Sequence, residues 1–120
     1  MTANLIKLFG GKLPMWRAEV WWVNFDPSVG GEVQKERPAV IISNDSANRH
    51  LNRLQVLPLS TKIDKVYPGE TLVTINGKQA KVLASQLTTV SKLRVSNKLG
   101  QLSPKEMQKV EQIVKLQLGF

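Results

Sequence analysis

Cysteine is absent from the 120 residues of this chain. No disulfide framework, thiolate nucleophile or zinc–thiolate site can therefore be built from it, and nothing in it requires an oxidising compartment. Histidine occurs once, as His50, so one chain cannot supply a two-histidine acid–base pair. No pair of His or Asp/Glu stands at metal-ligand spacing on an obvious rigid element, and neither a metal nor another cofactor is expected. No apolar run is long enough to span a bilayer. Acidic residues are scarce: 9 Asp+Glu against 17 Lys+Arg leave a formal net charge of +8. That imbalance predicts attraction to a polyanion, whether nucleic acid, an anionic membrane or an acidic protein.

What is present suits one domain with a core of its own, since 42% of the residues are hydrophobic. Residues 1–14 hold only a short apolar stretch, split by Lys7, and read as an N-terminal extension rather than a signal peptide. Residues 15–120 form the domain. Arg17 to Phe25, Pro38 to Ser43 and Leu54 to Leu59 are apolar runs rich in β-formers. Val20, Trp21, Trp22 and Val23 are consecutive, so both faces of the first strand should be covered, one by a barrel interior and the other by a partner subunit. Pro58 argues for an edge or a bulge in the third strand. Asp45 is placed to cap a short helical turn. Thr71 to Ile75 and Lys78 to Ala84 flank Asn76-Gly77, a strong two-residue hairpin signal. Thr88 to Leu99 holds one strand or two short ones. Ser103-Pro104-Lys105-Glu106 then reads as a capping box with proline in the first helical turn. Met107, Val110, Val114 and Leu118 follow as one apolar stripe, and Gly119 stands where a helix stops. The fold class is mainly β with a C-terminal α-helix, arranged as a small antiparallel barrel.

The segment from Glu19 to Asp45 carries the most chemical information. It reads strand, glycine-bearing loop, strand, with Asp26-Pro27 and Gly30-Gly31 breaking the backbone between the two runs. Arg37 precedes Pro38, which disfavours the helical region for it, so the arginine should be extended at the mouth of a strand. A planar, permanently charged fork on a rigid base is a means of presenting a cation to a phosphate. Trp22 to Pro27, Gly30, Glu32, Arg37 to Val40 and Asn44-Asp45 together resemble the signature of the MazF/PemK/Kid toxins of bacterial type II toxin–antitoxin pairs. The resemblance covers roughly residues 15–120 and is looser after Ser60.

That resemblance implies an SH3-like barrel and a sequence-specific endoribonuclease that cuts single-stranded RNA without a metal. The ribose 2′-OH would attack the neighbouring phosphorus and leave 2′,3′-cyclic phosphate and 5′-OH ends. It further implies a homodimer, a cytoplasmic location with no membrane partner, and an antitoxin whose acidic, largely disordered tail competes for the RNA groove. Arg37 matches the family's catalytic arginine and would stabilise charge in the transition state; without the motif it is a surface arginine paired with Glu36 or Asp45. Ser60 stands where the family carries a catalytic threonine, and Thr61 supplies the hydroxyl if the register shifts by one. Glu32 orients Arg37, accepts the 2′-OH proton, or is a solvated loop carboxylate. Gly30, Lys35, Lys62, Lys65 and Gln86 are candidates for RNA contact; Gln86 equally suits a structural hydrogen bond to a neighbouring strand. Arg49, Arg53 and Arg94 add cations that can line a groove.

Two departures weigh against a plain transfer. Some relatives carry an acidic residue just before the glutamine matched by Gln86 and a basic residue two positions after it; here those are Ser85 and Thr88. The rival reading is a non-catalytic barrel toxin that binds DNA gyrase, or only RNA or antitoxin, because fold does not fix function. A gyrase binder has no need of an Arg37–Ser60 pair.

Overall fold

The computed structural model describes residues 14–120. The expected extension at 1–14 lies outside the described residues except for Pro14. Among the described residues, seven strands form one curled antiparallel sheet in the order β4-β5-β3-β2-β1-β7, with β6 also paired to β3. The strands are β1 (Glu19–Asn24), β2 (Glu36–Ile41), β3 (Arg53–Ser60), β4 (Glu70–Ile75), β5 (Lys78–Leu83), β6 (Thr88–Ser91) and β7 (Val95–Gln101). Helix α1 (Asp45–His50) links β2 to β3, and helix α2 (Pro104–Leu118) closes the chain. This is the expected antiparallel barrel with a C-terminal helix, open along one side as a half-barrel. The opening is bridged at one point, without a ladder. Asn76 Nδ2 donates to the Leu99 carbonyl (2.9 Å), and a Cβ added at Gly100 would stand 3.3 Å from Ile75 Cγ2.

Local chemistry accounts for the boundaries. Ala18 has φ of 75°, which ends the extended run, so β1 starts at Glu19 rather than Arg17. Asn76 and Gly77 both take positive φ, at 51° and 78°, as a two-residue hairpin of this twist requires. Asn44, rather than Asp45, caps α1: its side chain accepts the Ala47 N–H (2.9 Å). Asp45 instead accepts from the Arg17 N–H (2.7 Å) and Asn48 Nδ2 (3.0 Å). The Ser103–Glu106 capping box is complete, and Gly119 caps α2 with φ of 80°.

The sheet separates two cores. Val20, Val40, Leu57, Leu59, Val73 and Val82 pack against Met107, Val110 and Ile113 of α2. On the other face, Met15, Trp21, Val23, Ile41, Leu54 and Val56 pack with Val90 and Val95. Each fully buried side chain of this size contributes about 1.5–3 kcal/mol. The chain itself therefore covers both faces of β1, and only Trp22 on that strand's apolar run stays half-buried. The stripe of α2 also differs from expectation. Ile113 completes it, Val114 is half-buried and Leu118 is exposed.

Pro58 is not at an edge. Ala39 pairs with Pro58 across β2 and β3. On its other side β3 pairs with β6 up to Val56 and with β5 from Leu59. Leu57 and Pro58 span the handover, opposite a 3₁₀ turn at Ala84–Gln86. The bond from the Ile42 N–H to the Gln55 carbonyl (3.0 Å) fixes the phase of the β2–β3 ladder. In that phase Ala39 and Pro58 are a non-hydrogen-bonded pair. The missing N–H of Pro58 consequently faces the handover and leaves no donor stranded in the ladder.

Candidate active site

Arg37 and Ser60 lie on neighbouring strands. The β2–β3 register runs Ile41–Val56, Val40–Leu57, Ala39–Pro58; extended by two residues it sets Arg37 opposite Ser60. That position is again a non-hydrogen-bonded one, where facing side chains approach most closely. Both residues line one cleft of about 360 Å³, together with Gly30, Glu32, Lys62 and Gln86.

The arginine is held from its own loop. Its Nε donates to the Gln34 carbonyl (3.1 Å), and the half-buried residue lines the cleft. Among the described residues it has no carboxylate partner. The two acids that would have made it a structural cation are engaged elsewhere, Glu36 with the Ser96 hydroxyl (3.0 Å) and Asp45 as described above. Ser60 Oγ accepts the Lys62 N–H (3.2 Å), so its own proton remains free to donate. Thr61 is exposed and does not line the cleft.

The β1–β2 loop is fixed at three levels. At its base the Phe25 N–H donates to the Lys35 carbonyl (2.9 Å), and the Lys35 N–H to Asp26 Oδ1 (2.9 Å). Lys35 takes a positive φ of 62° there; the neck of the loop, not the cleft, is its place. Arg94 braces the same neck through the carbonyls of Asn24 and Asp26. At the tip, Glu32 Oε1 accepts the Val29 N–H (2.8 Å), and no hydrogen bond joins Glu32 to Arg37. Between these, Gln86 clasps the loop: its Nε2 donates to the Gly31 carbonyl (3.2 Å) and its Oε1 accepts the Val33 N–H (3.4 Å).

A second cleft of about 540 Å³ adjoins the first across Gly31–Val33 and Gln86, walled by Phe25, Pro27, Pro58 and Leu87, with Thr88 and Arg94 at its polar side. Of the other cations, Lys62 reaches the first cleft, whereas Arg49, Arg53 and Lys65 reach neither. Among the described residues no three His, Cys, Asp or Glu side chains converge as a cation site, and no helix is long and apolar enough to cross a membrane. Nothing in the sequence signals the part of Gln34, because any residue offers the same carbonyl.

The arrangement presents an unpaired guanidinium, a hydroxyl with a free proton and a loop carboxylate around a cleft open to an extended anionic strand. The family model described as PemK-like, MazF-like toxin of type II toxin-antitoxin system matches residues 16–118. The chain is 36% identical over 115 residues to endoribonuclease MazF9 of Mycobacterium tuberculosis, spanning 88% of this chain and 98% of that protein. It is 29% identical over 99 residues to the endoribonuclease toxin MazF of Escherichia coli K12, spanning 82% and 88%. Among solved structures, MazF (Form-I) from Deinococcus radiodurans matches with a TM-score of 0.81 at 23% identity, over 91% of this chain and all of that one (100%). An endoribonuclease in complex with its cognate antitoxin, from a mycobacterial species, matches with a TM-score of 0.75 at 21% identity, over 88% and 96%.

Proposed function

The chain belongs to the family of PemK-like, MazF-like toxins of type II toxin–antitoxin systems, and from that premise we propose a sequence-specific endoribonuclease that cleaves single-stranded RNA without a metal. The observation that carries the reading is the common cleft of Arg37 and Ser60, with no carboxylate on Arg37 among the described residues. The ribose 2′-oxygen attacks the adjacent phosphorus, the P–O5′ bond breaks, and the products are a 2′,3′-cyclic phosphate and a 5′-OH.

Each side chain has a task in that step. The Arg37 fork neutralises charge building on the phosphoryl oxygens and keeps its own proton throughout. The Ser60 hydroxyl, already accepting from Lys62, donates to one phosphoryl oxygen. Glu32 uses one carboxylate oxygen on the Val29 N–H; the other accepts the 2′-OH proton. Solvent water protonates the departing 5′-oxygen. Gly30 and Lys62 border the path of the strand. Gln86 acts by holding the loop, and the adjoining larger cleft accommodates a neighbouring nucleotide.

The working form is a homodimer in the cytoplasm, inhibited by a cognate antitoxin. The net charge of +8 suits both ligands, since an acidic disordered tail and a single RNA strand are flexible polyanions that exploit one cation-lined path. The experiment is digestion of a long single-stranded RNA in EDTA, with sequencing of the cut ends and a chemical test for cyclic phosphate. Cutting at a fixed short sequence with cyclic phosphate and 5′-OH ends is expected. Cleavage that appears only with added divalent cation, or that leaves 5′-phosphates, overturns the mechanism.

A further inference from the structure

Lys81 sits in β5 directly opposite Ser60, yet it does not line the cleft. Only 8% of it is exposed, an unusual position for a lysine unless its charge is answered. Its Nζ forms an ion pair with Glu70 Oε1 (2.9 Å), donates to the Lys65 carbonyl (2.9 Å) and lies 5.5 Å from the centre of the Tyr67 ring. Glu70 Oε1 in turn accepts the Tyr67 N–H (3.0 Å), and the Glu70 N–H donates to the Tyr67 carbonyl (3.0 Å). Three successive parts of the β3–β4 connection, at Lys65, Tyr67 and Glu70, therefore converge on one ammonium group.

Beyond these contacts the connection is tied at its two ends, where the Lys62 N–H donates to Ser60 Oγ (3.2 Å) and buried Gly69 accepts the Ala84 N–H (3.0 Å). Residues 61–68 are exposed except for half-buried Ile63, so apolar burial does not decide its path. It starts at Ser60 and carries Lys62 into the cleft. Unpaired bases are read by side chains and backbone groups presented in a fixed arrangement.

We infer that Lys81 is a positioning residue that sets the conformation of the 61–69 loop and thereby the RNA sequence the protein accepts. The charge is buried beneath the loop rather than aimed at the substrate, so Lys81 acts on selection and binding and not on the bond-breaking step. The part concerning sequence choice rests on the endoribonuclease reading; the part concerning the loop does not.

The test compares the wild type with Lys81→Met, Lys81→Arg and Glu70→Gln. Amide hydrogen exchange is measured on the RNA-free proteins. Cleavage is measured on a mixed single-stranded RNA pool and on the preferred site alone. Lys81→Met should speed exchange across 61–69 about tenfold while β1, β2 and α2 keep their protection. It should also broaden the set of sites cut and raise KM at the preferred site about tenfold, with kcat within a few-fold. Lys81→Arg should restore the wild-type site profile, and Glu70→Gln should loosen the same loop. Unchanged loop exchange in both Lys81→Met and Glu70→Gln overturns the inference, as does a loss of kcat with the site profile and KM intact. Should Lys81→Met fail to fold, Glu70→Gln decides the loop by the same readout. Should the wild type cut no RNA, the nuclease reading fails while the exchange result still decides the role of Lys81.

Discussion

Gln86 donates from its amide to the carbonyl of Gly31 at 3.2 Å, across 55 residues of chain. Its carbonyl takes the Val33 N–H in return, so one side chain clasps the middle of the loop that borders both clefts. Net intramolecular hydrogen bonds are worth roughly 0.5–1.5 kcal/mol each. Gln86→Ala should reduce kcat/KM for RNA about tenfold and move the unfolding midpoint little, because the loop and not the core is released. A variant that keeps wild-type kcat/KM removes the clasp from the account.

Arg37→Ala should lower kcat by roughly a hundredfold or more, the scale seen when one donor to a developing oxyanion is lost. Stability should stay within about 0.5 kcal/mol, since no ion pair is broken. Arg37→Lys should recover little, because a point charge does not replace a fork. Single-turnover cleavage and thermal unfolding of the same preparations check both halves; equal cleavage by Arg37→Ala and wild type dismisses the arginine.

Ser60→Ala should lose most of the activity, and Ser60→Thr should preserve or raise it. Thr61→Ala should cut normally, since Thr61 does not line the cleft. The opposite pattern, with Thr61→Ala inert and Ser60→Ala active, would transfer the hydroxyl's role one residue along the chain.

Glu106 accepts from the N–H of Thr74 (2.8 Å), the N–H of Ser103 (3.1 Å) and the Ser103 hydroxyl (3.2 Å). Burial pushes its carboxyl up, but these donors, with the charge of Lys109, outweigh burial and hold it below the ordinary range. A carboxyl lowered by folding stabilises fully above its unfolded value of about 4.3 and loses that effect as pH falls through the folded value. Glu70 shifts the same way: burial raises it, and the Tyr67 N–H and Lys81 outweigh that. The unfolding midpoint should therefore decline below about pH 4.3. Glu106→Gln should cost about 1 kcal/mol at neutral pH, since a charged acceptor is exchanged for a neutral one, and give a shallower acid decline. Parallel acid limbs for the two proteins would remove Glu106 from the linkage.

Much of this was legible in the chain because its signals are local. Asn76-Gly77 dictates its own turn, Ser103 and Glu106 cap within four residues, and Arg37 before Pro38 needs no distant contact to be extended. What escaped the sequence depends on distance. The Gln86 clasp joins a side chain to backbone groups that any residue would offer. Trp21 is 5% exposed and Trp22 half-buried, a difference that two adjacent tryptophans in one apolar run do not reveal. Pro58 reads as an edge or a bulge, and the choice between them needs both neighbours of β3. Ile113 rather than Leu118 completes the helix stripe, because which helical positions are covered depends on elements far away in the chain.

The proline at the handover has one more effect. With no amide to offer on that side, Pro58 prevents β5 and β6 from fusing into one uninterrupted strand alongside β3. The Ala84–Gln86 protrusion cannot be ironed flat, and neither flanking strand can grow at the other's expense. A slip by one residue would turn every side chain of the slipping strand to the opposite face. A single absent hydrogen thus keeps the Ala84–Gln86 turn projecting from the sheet and the glutamine within reach of its loop.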